Sequence, residues 1–408
     1  MSDKSNMTVY RIMKTIANAV ANLIFKRKYL RNEVLGKSGA MVIIGNHQAA
    51  LDFTTAVSIT KRHITFVVSD SFYNTLPFKK CMGAVGVIPK QQFQTTLTEI
   101  SKMRSTVKHG GILMFYPAGL MSEDGLSTPI PHNTYKFLQY LDADVYAARN
   151  VGTYFVTPKW SKKIRPGRTL TDVYKIIGKE ELADLTEEEI KKRVDSALLF
   201  DAYREQEKHM IKYRGCDNIE GLENVLYVCP HCKREFTMRV KNKNTIYCTE
   251  CGFAHTSDKY GFLHNSGNCG EEIRYVSDWS RMIYKKVGEM IEDGALDTLS
   301  AKTEIHMIAY EKKKYVKVGS GTITLTPEKF ILEGTIKGEE TTVEVSLNTF
   351  ASIPFKPGSR IEIQCGKLSY RCVLEDGRLA AKFVNMVENY HERIIEDERK
   401  QEQEKILK

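Results

Sequence analysis

Two groups of residues in this 408-residue sequence have types and spacings suited to chemistry. The first is Asn46-His47, with Asp52 five positions after the histidine. An imidazole held by a carboxylate can take a proton from a hydroxyl, while the carboxylate fixes the tautomer and stabilises the imidazolium that forms. The second is Cys229-Pro-His-Cys232 with Cys248-Thr-Glu-Cys251, two thiol pairs separated by fifteen residues. Two such pairs on tight turns, which Pro230 and Gly252 favour, make the tetrahedral sulfur site of a zinc ribbon. Four cysteines close the shell without His231 or His255, so the zinc is expected to be structural. A disulfide pairing is the alternative, but nothing in the sequence places the chain in an oxidising compartment. Cys81, Cys216, Cys269, Cys365 and Cys372 read as ordinary buried thiols.

A proton-accepting histidine needs a rigid mount. Met41-Val42-Ile43-Ile44-Gly45 reads as a buried strand ending just before Asn46, and residues 48–60 are helix-compatible. His47 is therefore expected just ahead of a helix, with Asp52 in its first turn, because residues five apart do not share a helical face. Further apolar runs at 64–68, 85–88, 112–116, 145–148 and 154–156 alternate with helix-compatible segments. That rhythm predicts an α/β domain with a mixed, largely parallel sheet. A turn at Arg165-Pro-Gly-Arg168 follows, and a capping box at Thr186-Glu-Glu-Glu189 opens a helix expected to reach His209.

Past the cysteines, residues 278–291 read as a helix with Trp279, Met282, Ile283 and Val287 on one stripe. From about Thr303 the apolar period becomes two, with short strands expected at 315–318, 322–325, 330–332, 342–345, 360–364 and 370–374. Leu379, Phe383, Met386, Val387 and Tyr390 then supply one apolar helix face. Strands closed by a helix make a small β-rich, barrel-like C-terminal domain that resembles the pleckstrin-homology architecture. The expected organisation is an N-terminal helix in 1–36, an α/β domain over 37–215, the ribbon over 225–258 and the β-rich domain over 272–396.

The first half of the chain resembles the glycerolipid acyltransferases, the family typified by 1-acylglycerol-3-phosphate acyltransferase. Asn46-His47 with Asp52 is similar to its first motif, Met82-Gly-Ala-Val-Gly-Val-Ile-Pro-Lys90 to its second, and Phe115-Tyr-Pro-Ala-Gly-Leu-Met-Ser122 to its third. The resemblance implies an acyl transfer from acyl-carrier protein or acyl-coenzyme A to a lysolipid hydroxyl, most naturally that of 1-acylglycerol-3-phosphate. His47 would be the base and Asp52 its partner, with Asn46, Lys90, Pro117, Gly119 and Ser122 on the substrate side. The pattern also departs from the family. Lys90 replaces an Arg, and in the third motif Ala118, Leu120 and Met121 replace Glu, Thr and Arg. A fourth motif is represented only by 144–148, without its Pro. An Arg grips phosphate bidentately and a Lys only as a point charge, so acceptor recognition is the altered part. Gly83 to Gly86 and Gly119 either admit substrate close to the backbone or make strand-end turns. Lys90, Arg149, Lys159, Lys162 and Arg165 are candidates for phosphate or carrier contacts.

Composition bounds the remaining choices. With 42% hydrophobic and 27% charged residues the chain is of globular type, long enough for two or three domains. No run of eighteen uncharged apolar residues offers a membrane span, and Arg11 and Lys14 interrupt any signal-peptide core. Residues 1–36 hold seven Lys and Arg against Asp3 and Glu33, half of the net +10. Val9, Met13, Ile16, Val20 and Leu23 recur at helical spacing there, with Arg11, Lys14, Asn18 and Asn22 on another face and Lys26-Arg-Lys28 beyond. Such a helix suits either an anionic bilayer surface or its own domain. The expectation is a cytoplasmic, peripherally membrane-associated enzyme. The alternatives are a non-catalytic lipid-binding or scaffold protein with a degenerate acyltransferase fold, or an enzyme for another lysolipid. Nucleic acid is not an expected partner, because the ribbon's basic residues lack aromatic interleaving.

Overall fold

A computed structural model describes residues 6–75, 79–91, 96–309, 311, 314–349, 351–366 and 368–406. Asp3 and Lys4, part of the expected N-terminal charge cluster, lie outside them. The chain forms two compact units, residues 1–218 with 257–262, and residues 219–256 with 263–408.

The first unit opens with α1 (Met7–Leu23), whose Asn6 cap accepts the amides of Thr8 and Val9. There follow β1 (Lys28–Asn32), β2 (Met41–Gly45), α2 (Asp52–Ala56), β3 (Ile64–Ser69), α3 (Asp70–Thr75), α4 (Lys79–Ala84) and β4 (Ile88–Lys90). Next come α5 (Leu97–Lys108), β5 (Ile112–Phe115), α6 (Asn133–Leu141), β6 (Asp144–Val151), α7 (Thr153–Val156) and β7 (Leu170–Ile177). The short α8 (Lys179–Leu182), then α9 (Glu187–Leu198) and α10 (Ala202–His209), close the run. One seven-stranded sheet has the order β1-β7-β6-β2-β5-β3-β4. Strands β2 to β6 are parallel to their neighbours among themselves, whereas β7 runs antiparallel to β6 and parallel to β1. The expected mixed sheet is present.

Strand β2 is central and wholly buried, as a continuous β-branched run requires. Its alternating side chains feed two cores. Val42 and Ile44 pack with Met103 and Val107 of α5, Leu138 of α6 and Ile190 and Val194 of α9. Met41 and Ile43 face Ala56, Ile59 and Val34 on the other side. Each such side chain contributes about 1.5–3 kcal/mol, so the end of β2 is a stiff mount.

Several elements differ from expectation. Residues 154–156 form α7 rather than a strand. Their apolar run belongs to a buried aromatic cluster, with Phe155 against Tyr203 and Tyr213 at 5.0 and 5.3 Å, and a continuous apolar run cannot distinguish the two forms. Val85 continues the turns of α4, its amide bonding Cys81 O at 3.0 Å, so β4 starts only at Ile88. The helix expected over 186–209 is broken at 199–201, where Asp201 caps α10 through the amide of Tyr203 at 2.9 Å. The helix expected within 48–60 is confined to 52–56. Strand β1 is polar and partly exposed, while β7 is half buried with its apolar residues interrupted by Asp172 and Lys175, and neither was anticipated. They bring the N-terminal segment into the first unit.

The second unit contains the ribbon strands β8 (Met238–Lys241), β9 (Thr245–Cys248), β10 (Ala254–Ser257) and β11 (Leu263–Asn265), in the order β11-β10-β9-β8. Helix α11 (Val276–Glu292) leads to β12 (Leu299–Ala309), β13 (Lys314–Leu325), β14 (Lys329–Ile336), β15 (Glu339–Ser346), β16 (Phe355–Lys356), β17 (Arg360–Cys365) and β18 (Leu368–Leu374), then α12 (Leu379–Ile406). These strands form an antiparallel sheet ordered β15-β14-β13-β12-β18-β17-β16. The expected β-rich sheet is present, and among the described residues no ladder joins its edges β15 and β16. The two strands expected at 315–318 and 322–325 are one. Gly319 and Gly321 are not a turn but the place where the backbone of β14 approaches β13 too closely for a Cβ.

Candidate active site and metal centre

The sheet reverses strand order at β2, since the chain lays β5 on one side of it and then crosses to lay β6 on the other. Ligands of open α/β sheets bind at such positions, beyond the carboxyl ends of the strands. Asn46 and His47 leave β2 there. The Asn46 side chain is fully engaged by the backbone of Asn150 in β6, donating to its O at 2.9 Å and accepting its N–H at 2.7 Å. Asn46 thus clasps two strands behind the histidine. Asn150 is itself buried, and its Oδ1 accepts the hydroxyls of Thr55 and Thr171 at 2.7 and 3.1 Å.

Asp52 is completely buried at the start of α2. Its Oδ2 accepts the amides of Gln48 and Ala49 at 2.7 and 2.8 Å and lies 3.2 Å from His47 Nδ1. The loop from β2 therefore curls around the carboxylate and presents the imidazole to it. A carboxylate can only accept, so Nδ1 carries the proton and Nε2 keeps its lone pair. His47 retains 20% of its side-chain exposure, and Nε2 has no protein hydrogen-bond partner among the described residues.

Opposite Asp52, the Tyr116 ring stacks on His47 with centroids 4.6 Å apart and planes at 21°. Burial, helped by the charge of Asp52, raises the Tyr116 phenol well above its usual value, so it stays neutral. Gly45 makes room for it, because a Cβ there would lie 2.6 Å from the tyrosine ring. The chain then turns at Pro117, with Gly119 N–H bonding Tyr116 O at 3.0 Å, and returns so that Ser122 N–H meets His47 O at 3.2 Å. The Ser122 hydroxyl is buried and accepts the Gly125 amide at 2.9 Å, a turn-forming role.

The expected cations separate into groups. Lys159 Nζ lies 3.4 Å from Met121 O and 3.8 Å from Glu123 Oε2, beside the segment fastened to His47. Lys90 ends β4 on the same edge, three strands from β2, with its Nζ bonding Gln91 O at 3.2 Å. Burial lowers the Lys90 pKa. Arg149 is paired with Glu205 at 2.8 Å, Arg165 is buried against Asn218 O, and Lys162 is exposed. Tyr116 and Asn150 are the site residues that sequence reading missed. A buried Asn within the apolar β6 was the available signal for the second.

In the second unit the sulfurs of Cys229, Cys232, Cys248 and Cys251 all lie within 4.8 Å of one another. Cys229 and Cys251 are 3.6 Å apart, Cys232 and Cys248 3.7 Å, and none is in a disulfide. Four sulfurs about 2.3 Å from one tetrahedral ion would be about 3.8 Å apart, so the donors fit a metal. The two turns match. Cys229 N–H bonds Arg234 O at 3.0 Å and Cys248 N–H bonds Phe253 O at 2.8 Å. The residue after each second cysteine is left-handed, Lys233 at φ 62° and Gly252 at φ 79°.

The family described as Acyltransferase matches residues 26–158, a third of the chain. The first unit carries a domain of the acyltransferase family. No curated protein matches the chain. Among solved structures, the 1-acyl-sn-glycerophosphate acyltransferase PlsC from Thermotoga maritima is similar at 14% identity, over 49% of this chain and 79% of its own, with a TM-score of 0.41. The Ran-binding domain of the nuclear complex component Nup2 from Ashbya gossypii is similar at 14% identity, over 24% of this chain and 97% of its own, with a TM-score of 0.20. Within the acyltransferase domain, His47 and Asp52 are joined on one edge of the sheet by the end of β5 and the end of β4. No described helix is long and apolar enough to cross a membrane.

Proposed function

We propose that the first unit transfers a fatty acyl group from an acyl thioester, carried by acyl-carrier protein or coenzyme A, to a hydroxyl of a lysolipid. The supporting observation is the His47–Asp52 pair, with Nε2 bare, in an acyltransferase-family domain. The acceptor oxygen attacks the thioester carbonyl carbon and forms the new C–O bond while its proton passes to His47 Nε2. Asp52 stabilises the resulting imidazolium. Collapse breaks the C–S bond, and the departing sulfur takes the proton from His47, leaving an ester and a free thiol. No acyl-enzyme is needed.

The first acceptor to test is 1-acylglycerol-3-phosphate, with Lys159 the cation for its anionic end. Ala118 and Met121 stand where the resemblance expects Glu and Arg, which favours an acceptor held by a point charge over one held bidentately. The four cysteines hold structural zinc, since a closed sulfur shell has no position for substrate. Association with a bilayer is supported by α1, whose Ile12, Ile16 and Leu23 are exposed while Lys14 and Asn18 on its other side bond Thr60 O and Ser58 Oγ.

Labelled acyl-carrier-protein and acyl-coenzyme A thioesters offered with a lysolipid panel test the reading. Wild-type protein should give ester product and His47→Ala none above background. A folded wild type that acylates nothing in the panel would point to the scaffold alternative.

A further inference from the structure

The proton transfer makes His47 a cation, and three of its surroundings bear on that cation. Asp52 meets the ring edge at Nδ1, 3.2 Å away. Tyr116 covers a ring face at 4.6 Å, nearly parallel. Ser122 N–H fixes the backbone through His47 O at 3.2 Å. The Tyr116 hydroxyl is buried with no hydrogen-bond partner among the described residues, so its contact with His47 is through the ring alone. The ring also occupies the volume a Cβ on Gly45 would need. Glycine at the last position of a buried strand sacrifices packing, and here the space it frees is filled by the ring that faces the imidazole.

An aromatic face is electron-rich and attracts a cation placed over it, more strongly when both are shielded from water. Neutral imidazole gains much less. The stack therefore favours the protonated histidine that exists only after the hydroxyl proton has moved, and it limits rotation of the ring away from Asp52. We propose that Tyr116 is a positioning residue for His47, holding the imidazole plane and stabilising its imidazolium by ring stacking, with Gly45 as the gap that admits the ring. This rests on His47 being the base, as argued above. The phenol hydroxyl has no part in it.

Three proteins decide the matter: wild type, Tyr116→Phe and Tyr116→Leu, each measured for transfer kinetics and for the His47 ring-proton chemical shifts. Tyr116→Phe keeps the ring, so kcat and the upfield ring-current shift of His47 should both stay near wild type. Tyr116→Leu should lose the upfield shift and lower kcat about tenfold with KM little changed. A leucine variant with wild-type kcat and unchanged His47 shifts would overturn the proposal, as would a phenylalanine variant impaired as severely as leucine. The shifts are read without any substrate, so absence of acyl transfer in the wild type would sink the functional reading while the shifts still test the stack.

Discussion

Asp52 Oδ2 accepts two backbone amides before it meets the imidazole, so its position does not depend on His47. That independence makes His47→Ala a clean test, because the loop retains its carboxylate anchor. Glu123 is a different case. Its side chain keeps 21% exposure, and burial pushes its pKa up from 4.5 to about 7, with Lys159 opposing and Asp124 adding to the rise. A carboxyl raised in the folded state stabilises the protein below pH 4.5 and loses that contribution as pH climbs through about 7. Wild type and Glu123→Gln should therefore unfold alike at pH 4, with the wild type falling behind by about 3 kcal/mol as pH reaches 7.5. Denaturant titrations at several pH values would show it, and parallel curves across the range would refute it. At this scale the sequence was legible where partners are close in the chain, as with His47 and Asp52 or each cysteine pair. Asn150 contacts Asn46 across 104 residues, a pairing that only the order of strands in the sheet creates.

Helix α1 shows how periodicity can be evident while orientation stays open. Its apolar spacing was evident, but the polar Asn18 turns inward to bond Arg27 and Ser58, while Leu23 remains 74% exposed. Of the basic stretch that follows, Lys26 and Lys28 are exposed and Arg27 is turned toward Thr54 O and Thr55 O. Which face of a helix packs is settled by its neighbour, here the loop after α2, and not by its own pattern. Replacing Ile16 and Leu23 together by Lys should change thermal stability very little, since neither is buried. Sedimentation with anionic vesicles should nevertheless fall several-fold if this stripe enters the bilayer, and undiminished binding would assign the surface elsewhere. The carboxyl-end edge supports a second separation. Lys90 lies about 14 Å from β2 across three strand spacings, so Lys90→Ala should raise KM for the thioester more than KM for the acceptor. Steady-state kinetics with each substrate varied in turn would decide it.

On the scale of the whole molecule, the His47–Asp52 pair and the four-cysteine cluster lie in separate units. Stripping the metal with a chelator should abolish the second unit's cooperative unfolding transition, with one zinc per chain in the released fraction. Transfer activity of the first unit, assayed at low temperature, should survive; activity falling in step with zinc content would instead make the metal catalytic. The expectation of successive domains along the chain missed one feature. Residues 257–262 belong to the first unit, where Lys259 O accepts the Tyr213 amide at 3.3 Å and Tyr260 O accepts Gln206 Nε2 at 3.0 Å. Gly261 lies against Phe155 and Cys216, with no room for a side chain. The unit that holds His47 is thus unfinished when Asn218 leaves the ribosome. It waits while both cysteine pairs are synthesised, so during translation the chain presents its four clustered cysteines before the unit that holds His47 can close.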